Sequence, residues 1–241
     1  MADYKLIYLA RRNPALREDE FPEAWREHSR LSSQFATTFG SHFSSVHQCV
    51  KAYEIEAPPA FRNEYDGCAL IGMKGWDDLV AARSHPRAQN ELKKDEERVF
   101  ADYVDPWTMA AEERVLRQGP ACDHMMLSFL KPLEQTSEAS FDRGLDLLAA
   151  ALLECPAAGR SALTINHVVD PSEVYGFGAV IEVWFEDAQA LSTAAQDPDF
   201  SRVLAAQDIA DREASVMLLA RLNLKKTIDE SPEGLAGWQE Q

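Results

Sequence analysis

The sequence has little of what metal centres and disulfide frameworks require. Its 241 residues include only four cysteines, which lie far apart and show neither a Cys-x-x-Cys pair nor the cysteine and histidine spacing of zinc sites. It also lacks a Gly-rich phosphate loop, an HExxH helix and a Gly-x-Ser-x-Gly turn. We therefore expect reduced, mostly buried cysteines, and we predict neither a metal ion nor a cofactor.

Long apolar runs and basic clusters are missing too. No stretch has the length and apolar character of a transmembrane helix, and the N-terminus lacks the basic and apolar regions of a secretion signal. Lysine and arginine number 24 against 40 aspartate and glutamate residues, which gives a formal net charge of −16. This balance argues against binding to nucleic acid or to anionic membranes. The sequence predicts a cytoplasmic protein whose partner is a small molecule.

The hydrophobic residues, 46% of the chain, follow one strand and helix pattern twice. In the first half the pattern predicts strands at 5–10, 46–55, 67–73 and 108–116, and helices at 19–39 and 76–103, the latter with a break at Pro86. In the second half it predicts strands at 125–130, 162–169, 179–185 and 215–224, and helices at 140–153 and 186–211, the latter with a break at Pro198. Each half therefore has the β-α-β-β-α-β order of a ferredoxin-like unit.

Matching landmarks support a duplication. Phe21 corresponds to Phe141, and Tyr65 corresponds to Tyr175. We predict an α+β fold in which two tandem ferredoxin-like repeats pack sheet to sheet within one chain, because a bare apolar sheet face must be buried. The predicted domains are a site-bearing repeat at 1–118, a degenerate repeat at 119–226 and a C-terminal tail at 227–241.

The first predicted helix carries a histidine on its apolar face. Phe21, Trp25 and Phe35 share this face at helical spacing, and His28 lies among them. A buried imidazole that titrates near neutral pH suits proton transfer. The same pattern also fits an ordinary core histidine that is hydrogen-bonded to the backbone.

These residues give repeat one a resemblance to the EthD domain of the dimeric α/β barrel superfamily. The resemblance spans about residues 4–117 and rests on Phe21-x-x-x-Trp25-x-x-His28 and on further matching segments. Those segments are Leu9-Ala10-Arg11-Arg12-Asn13-Pro14, Asp66-Gly67, His85-Pro86, Asp95 with Phe100, and Glu112-Glu113. The resemblance implies a site between the sheet and the helices of one repeat, with His28 as its acid or base. Repeat two has leucines at the positions of Trp25 and His28, so we expect its role to be structural.

Several further residues are candidates for the same site, although each also has a purely structural interpretation. His47 on the second strand is the second candidate acid or base, and Asp95 or Glu96 on the second helix can hydrogen-bond a histidine. Arg11 or Arg12 can grip a substrate carboxylate with paired N–H donors. The remaining candidates for substrate binding are Tyr8, Trp25 and Tyr53.

The resemblance implies several activities. The first hypothesis is a cofactor-independent lyase, specifically a decarboxylase, that acts on an aromatic or polyketide-like carboxylic acid. The alternatives are a cofactor-independent monooxygenase that forms quinones and a non-catalytic protein that binds a hydrophobic small molecule. The sequence leaves the exact substrate undetermined, and it leaves a homodimer open.

Overall fold

The computed structural model describes residues 3–33, 42–58, 61–86, 88–120, 122–159, 161–172, 174–204 and 208–227. Its strands are β1 Asp3–Ala10, β2 Phe43–Lys51, β3 Gly67–Met73, β4 Met109–Arg117, β5 His124–Leu130, β6 Ala162–Asp170, β7 Ala179–Phe185 and β8 Val216–Thr227. Its α-helices are α1 Phe21–Ser33, α2 Trp76–Arg83, α3 Lys93–Val99, α4 Glu138–Glu154, α5 Ala188–Gln196 and α6 Pro198–Leu204. A π-helical turn, Ala88–Leu92, leads directly into α3.

The strands form one closed antiparallel barrel in the order β1-β3-β2-β8-β5-β7-β6-β4, with β4 pairing back to β1. The first half of the chain contributes β4-β1-β3-β2 and the second half contributes β8-β5-β7-β6. The sequence predicts that the two sheets face each other; the structure also joins their edges by hydrogen bonds, through the β2–β8 and β4–β6 pairs. Closure removes the exposed edges that such sheets would otherwise have. The two halves are therefore parts of one barrel.

Alternation along β1 separates the barrel interior from the surface that carries the helices. Ile7 and Leu9 point into the barrel, where an apolar cluster fills the space between the two sheets. Leu6, Tyr8 and Ala10 point outward, toward the helices of the first half. Each half thus has its own core between sheet and helices, separate from the shared core of the barrel.

The predicted elements and the observed ones agree at the two proline breaks and differ in strand length. Helix α2 ends at Arg83, shortly before the break predicted at Pro86, and the helix predicted at 186–211 is divided before Pro198 as expected, because proline disfavours helical backbone at the preceding residue. Strand β2 ends at Lys51, earlier than predicted. The prediction for residues 34–39 and nearly all of the predicted tail, 228–241, lie outside the described residues. No helix in the described ranges is long and apolar enough to cross a membrane.

Gly67, the first residue of β3, allows the sheet to approach helix α1 closely. A Cβ atom at this position would lie 2.5 Å from a ring carbon of Trp25 and 2.8 Å from the carbonyl oxygen of Cys49. We predict that Gly67→Ala lowers the free energy of unfolding by about 1–3 kcal/mol, the usual range for overpacking a core. Urea denaturation checks this value. Gly75→Ala is the matched control, because its Cβ would meet nothing closer than 3.6 Å; equal losses in the two variants would contradict the prediction.

Candidate functional site

A cavity of about 170 Å³ lies in the first half of the chain, between the outer face of its strands and its helices. Its walls are mainly apolar, with contributions from β1, β2, β3 and the turn that precedes α3. Strand β8 of the second half also contributes, through Leu224 and Lys226, because β8 pairs with β2. The polar side chains that line it are Tyr8, His28, Ser29, Gln48, Arg83, Lys93, Glu96, Asp105, Thr108 and Lys226.

His28 lies on the inner face of α1 and lines this cavity, as the sequence predicts. Its side chain is nearly buried, and its Nδ1 atom is 2.9 Å from Oδ2 of Asp95 on α3. Arg98, one helical turn further along α3, donates two hydrogen bonds to the same carboxylate, at 3.0 and 3.1 Å. Asp95, itself held by Arg98, therefore fixes the orientation of the His28 ring.

The charges of this pair determine which nitrogen of His28 is available. Burial lowers the pKa of His28, more than the neighbouring Asp95 raises it. Burial raises the pKa of Asp95, but the hydrogen bonds and charges of Arg98 and His28 outweigh this effect and lower it. At neutral pH a neutral imidazole thus donates its Nδ1–H to an ionised carboxylate, which can only accept. This leaves Nε2 with a free lone pair, as a general base requires.

Glu96 is the adjacent residue on α3, and its side chain lines the cavity. It is only 7% exposed, and its Oε2 atom accepts one hydrogen bond, at 3.0 Å, from the backbone N–H of Val104. Burial raises the pKa of Glu96 to about 7. The sequence predicts that Asp95 or Glu96 can hydrogen-bond a histidine. It does not predict that Asp95 is the ionised partner of His28 while the side chain of Glu96 lines the cavity.

Tyr8 lines the cavity from β1, as predicted, whereas Trp25 does not. Burial, followed by the negative charge of Glu96, raises the pKa of Tyr8, so its hydroxyl stays protonated. Trp25 is fully buried and stacks on Phe21, with Phe100 edge-on at 5.6 Å. The prediction that Trp25 forms part of the cavity wall is wrong, because Trp25 packs in the core next to the cavity.

His47 points to the opposite side of the sheet. Its neighbours Val46 and Gln48 line the cavity, and alternation along the strand sends His47 into the barrel interior. There its ring lies edge-on to Trp184, with ring centroids 5.6 Å apart, and burial lowers its pKa to about 4. The structure therefore separates His47 from His28, and the prediction that the two share a site is wrong.

The two arginines that follow β1 also lie outside the cavity. The guanidinium of Arg11 lies 5.0 Å from the ring of Tyr65 and 5.8 Å from that of Trp107, at one end of the barrel. The Nε atom of Arg12 is 3.4 Å from Asp66. The prediction that Arg11 or Arg12 binds a substrate carboxylate in this cavity is therefore wrong, because neither side chain lines it.

Tyr53 lies beyond the end of β2 and donates a hydrogen bond to Asp66, so it contacts neither His47 nor the cavity. The cations that do line the cavity are Arg83, Lys93 and Lys226. Sequence reasoning missed all three. Lys226 has no local signal at all, because it reaches this cavity only through the pairing of β2 with β8.

The second half has an apolar core beside helix α4. Leu145 and Leu148, which the sequence predicts to correspond to Trp25 and His28, are buried in it. Within the described ranges, no three histidine, cysteine, aspartate or glutamate side chains lie close enough together to hold a metal ion. The cavity of the first half is therefore the candidate site.

Comparison with known families gives a match within the first half of the chain. Residues 13–103 match the EthD domain. The chain therefore contains an EthD domain within its first half. The matched segment contains His28, Asp95 and Glu96, and it excludes β4 and the whole second half. No curated protein matches the chain in sequence.

Solved structures with the same fold cover nearly the whole chain at very low identity. An anthrone oxidase-like protein is 8% identical, with a TM-score of 0.64 over 95% of this chain and 94% of its own. A monooxygenase-like protein of Fusobacterium nucleatum is 6% identical, with a TM-score of 0.58 over 94% of each chain. Chlorite dismutase from Candidatus Nitrospira defluvii, in complex with imidazole, is 10% identical, with a TM-score of 0.53 over 99% of this chain and 95% of its own. These likenesses show that the chain shares its α+β fold, with an eight-stranded antiparallel barrel, with these proteins.

Proposed function

We propose that this EthD protein is a lyase that acts by proton transfer on a small aromatic or polyketide-like carboxylic acid. The observation that carries the proposal is the geometry of His28. Its Nδ1 atom is held 2.9 Å from an ionised Asp95, and its ring lines a mainly apolar cavity. A positioned acid or base of this kind contributes roughly 10²–10⁴-fold to a reaction rate.

The other cavity residues suit an acidic, largely apolar substrate. Lys93 and Lys226 bring positive charge to a wall that is otherwise mostly apolar, and a substrate carboxylate is attracted to them. Loss of CO₂ or of water from such a molecule requires only bond cleavage and proton transfer, so the proposal needs no cofactor. Of the two, decarboxylation is the first reaction to test.

A monooxygenase that forms quinones is the second candidate. What favours it is the similarity in fold to an anthrone oxidase-like and a monooxygenase-like protein. The same His28 would then remove a proton from a phenol before O₂ reacts with the resulting anion. A binding protein without catalytic activity is the third candidate, and it would need only the apolar cavity.

One experiment separates these candidates. CO₂ release, O₂ uptake and product formation are measured on a panel of aromatic and polyketide-like acids, for wild type and for His28→Gln. CO₂ release or loss of water without O₂ uptake, abolished in the variant, supports the lyase. O₂ consumed in proportion to product supports the monooxygenase. Ligand binding without turnover, unchanged in the variant, supports a binding protein.

We also propose that segments 1–118 and 119–226 are tandem ferredoxin-like repeats and that only the first has kept a site. Both halves show the same order of strands across the barrel, fourth, first, third, second. In the second half leucine side chains occupy the positions of the histidine and the tryptophan. Its remaining contribution to the site is strand β8, which forms part of the cavity wall.

A further inference from the structure

We propose that Glu96 is a second catalytic residue of this cavity and acts as its general acid, so that the site eliminates water from a β-hydroxy carbonyl compound. This inference rests on the proposed lyase function and makes it more specific. His28 removes a proton from the carbon next to the carbonyl group. Glu96 donates a proton to the departing hydroxyl oxygen.

The step balances without any co-reactant. The C–H electron pair forms the new C=C bond, the C–O bond breaks, and the hydroxyl leaves as water after taking the Glu96 proton. His28 ends as an imidazolium and Glu96 as a carboxylate. One proton transfer through solvent restores both residues for the next cycle.

Three observations on Glu96 carry the proposal. Its side chain lines the same cavity as His28 and Tyr8, and it is 7% exposed. Its carboxyl group accepts one backbone hydrogen bond and, among the described residues, forms no ion pair. By contrast, its neighbour Asp95 is fixed between His28 and Arg98. Asp95 is thus a positioning residue for His28. Of the two carboxyl groups that line the cavity, Asp105 is exposed, which leaves Glu96 as the buried one.

The protonation states agree with these two roles. Burial raises the pKa of Glu96 to about 7, so a substantial fraction of it carries a proton at neutral pH, while His28 is neutral. Other titratable or charged side chains line the cavity around Glu96. They are Tyr8 on β1, Arg83 on α2, Lys93 on α3, Asp105 after Val104, and Lys226 on β8. Asp105 raises the pKa of Glu96 and Lys93 lowers it, both less than burial does.

The test uses Glu96→Gln, in which the amide oxygen can still accept from Val104 but no acidic proton remains. The probe is 4-(1-hydroxy-3-oxobutyl)benzoic acid, a β-hydroxy ketone that also carries an aromatic carboxylic acid, and its conjugated dehydration product is followed by ultraviolet absorption. We expect kcat to fall roughly 10²-fold or more in Glu96→Gln. The fall of kcat/KM at alkaline pH, which reports ionisation of Glu96 in the free enzyme, should disappear. The fall at acidic pH, which reports protonation of His28, should remain.

Glu97→Gln is the matched control, because Glu97 is exposed on the same helix and its side chain bonds to Tyr103. This variant should leave kcat unchanged, together with the fall of kcat/KM at acidic and at alkaline pH. Carbon NMR of labelled glutamate side chains gives a second measurement, independent of turnover. One carboxyl group should titrate near neutral pH in wild type and in Glu97→Gln, and that signal should be missing in Glu96→Gln.

The outcomes distinguish this inference from the proposed function. If Glu96→Gln keeps kcat and the alkaline limb while His28→Gln loses activity, the lyase stands and the role of Glu96 is refuted. If both variants keep full activity, the proposed function fails as well. If wild type releases CO₂ from aromatic acids but dehydrates no β-hydroxy ketone, the elimination of water is refuted. A carboxyl group at Glu96 that titrates in the ordinary range refutes it too.

Discussion

Replacing His28 with alanine is expected to lower kcat by roughly 10²-fold or more while leaving the fold nearly intact. The variant removes the only histidine among the described residues that lines the cavity. It leaves Asp95 paired with Arg98, so no buried charge is orphaned. Turnover on the first substrate found in the panel, together with a thermal melt, measures both parts of the prediction.

The pH dependence of activity is a second test of the role of His28. Because His28 must be neutral to accept a proton and its pKa is lowered, wild-type activity should fall on the acidic side of its ordinary value, 6.5. This limb should be absent from the residual activity of the variant. Chelators should leave the wild-type rate unchanged.

His47→Ala is a matched control for His28→Ala. It deletes the same side chain from the same half of the chain, but on the barrel side of β2. We expect its kcat to stay within a few-fold of wild type. Full activity in His28→Ala, or an equal loss in both variants, would sink the proposed mechanism.

The parts of this site that could be predicted are those that follow from local periodicity. The inward direction of His28 follows from its spacing to Phe21 and Trp25 on one helix, and the outward direction of Tyr8 follows from its alternation with Ile7 on β1. The hydrogen bond from His28 to Asp95 could be anticipated, because both helices pack on one sheet face. For His28 and Tyr8, a single element determines the direction of the side chain, and the bond to Asp95 needs only that the two helices are neighbours.

The errors arose where direction depends on register or on distant pairing. A shift of one residue along a strand moves a side chain to the other face of the sheet. The sequence pattern therefore does not distinguish whether His47 faces the cavity or the barrel interior. Lys226 reaches the cavity only because β8 pairs with β2, more than 170 residues earlier in the chain. Glu96 accepts its hydrogen bond from the backbone N–H of Val104, which lies beyond the end of α3. No local pattern encodes these contacts.

Replacing Lys5 with methionine is expected to cost about 3–5 kcal/mol of unfolding free energy, the usual effect of leaving a buried charge without its partner. Lys5 on β1 lies inside the barrel, 2.6 Å from Glu182 on β7 and 2.9 Å from Glu113 on β4. Glu182 is 2% exposed and also accepts hydrogen bonds from Asn166 and Trp184. The ion pair of Lys5 with Glu182 links the first half of the chain to the second across the barrel interior, so its loss weakens the contact between the two halves. Urea denaturation at pH 8 measures the change, and Lys225→Met, at an exposed position of β8, is the control.

The dependence on pH tests whether an unpaired Glu182 is the cause. In wild type burial raises the pKa of Glu182, but the charge of Lys5 and the hydrogen bonds from Lys5, Asn166 and Trp184 together lower it, so this carboxylate stabilises the fold above its unfolded pKa and loses that effect as the pH falls. Without Lys5, only the hydrogen bonds from Asn166 and Trp184 oppose burial, so the pKa rises, and the deficit of Lys5→Met should be largest at pH 8 and should shrink as Glu182 becomes protonated at lower pH. Adding Glu182→Gln to Lys5→Met should recover part of the loss, because the amide is uncharged and its one oxygen can still accept from Asn166 or from Trp184, which bond to different oxygens of Glu182 in wild type. A deficit that is independent of pH and unchanged in the double variant would instead assign the loss to the packing of the lysine side chain.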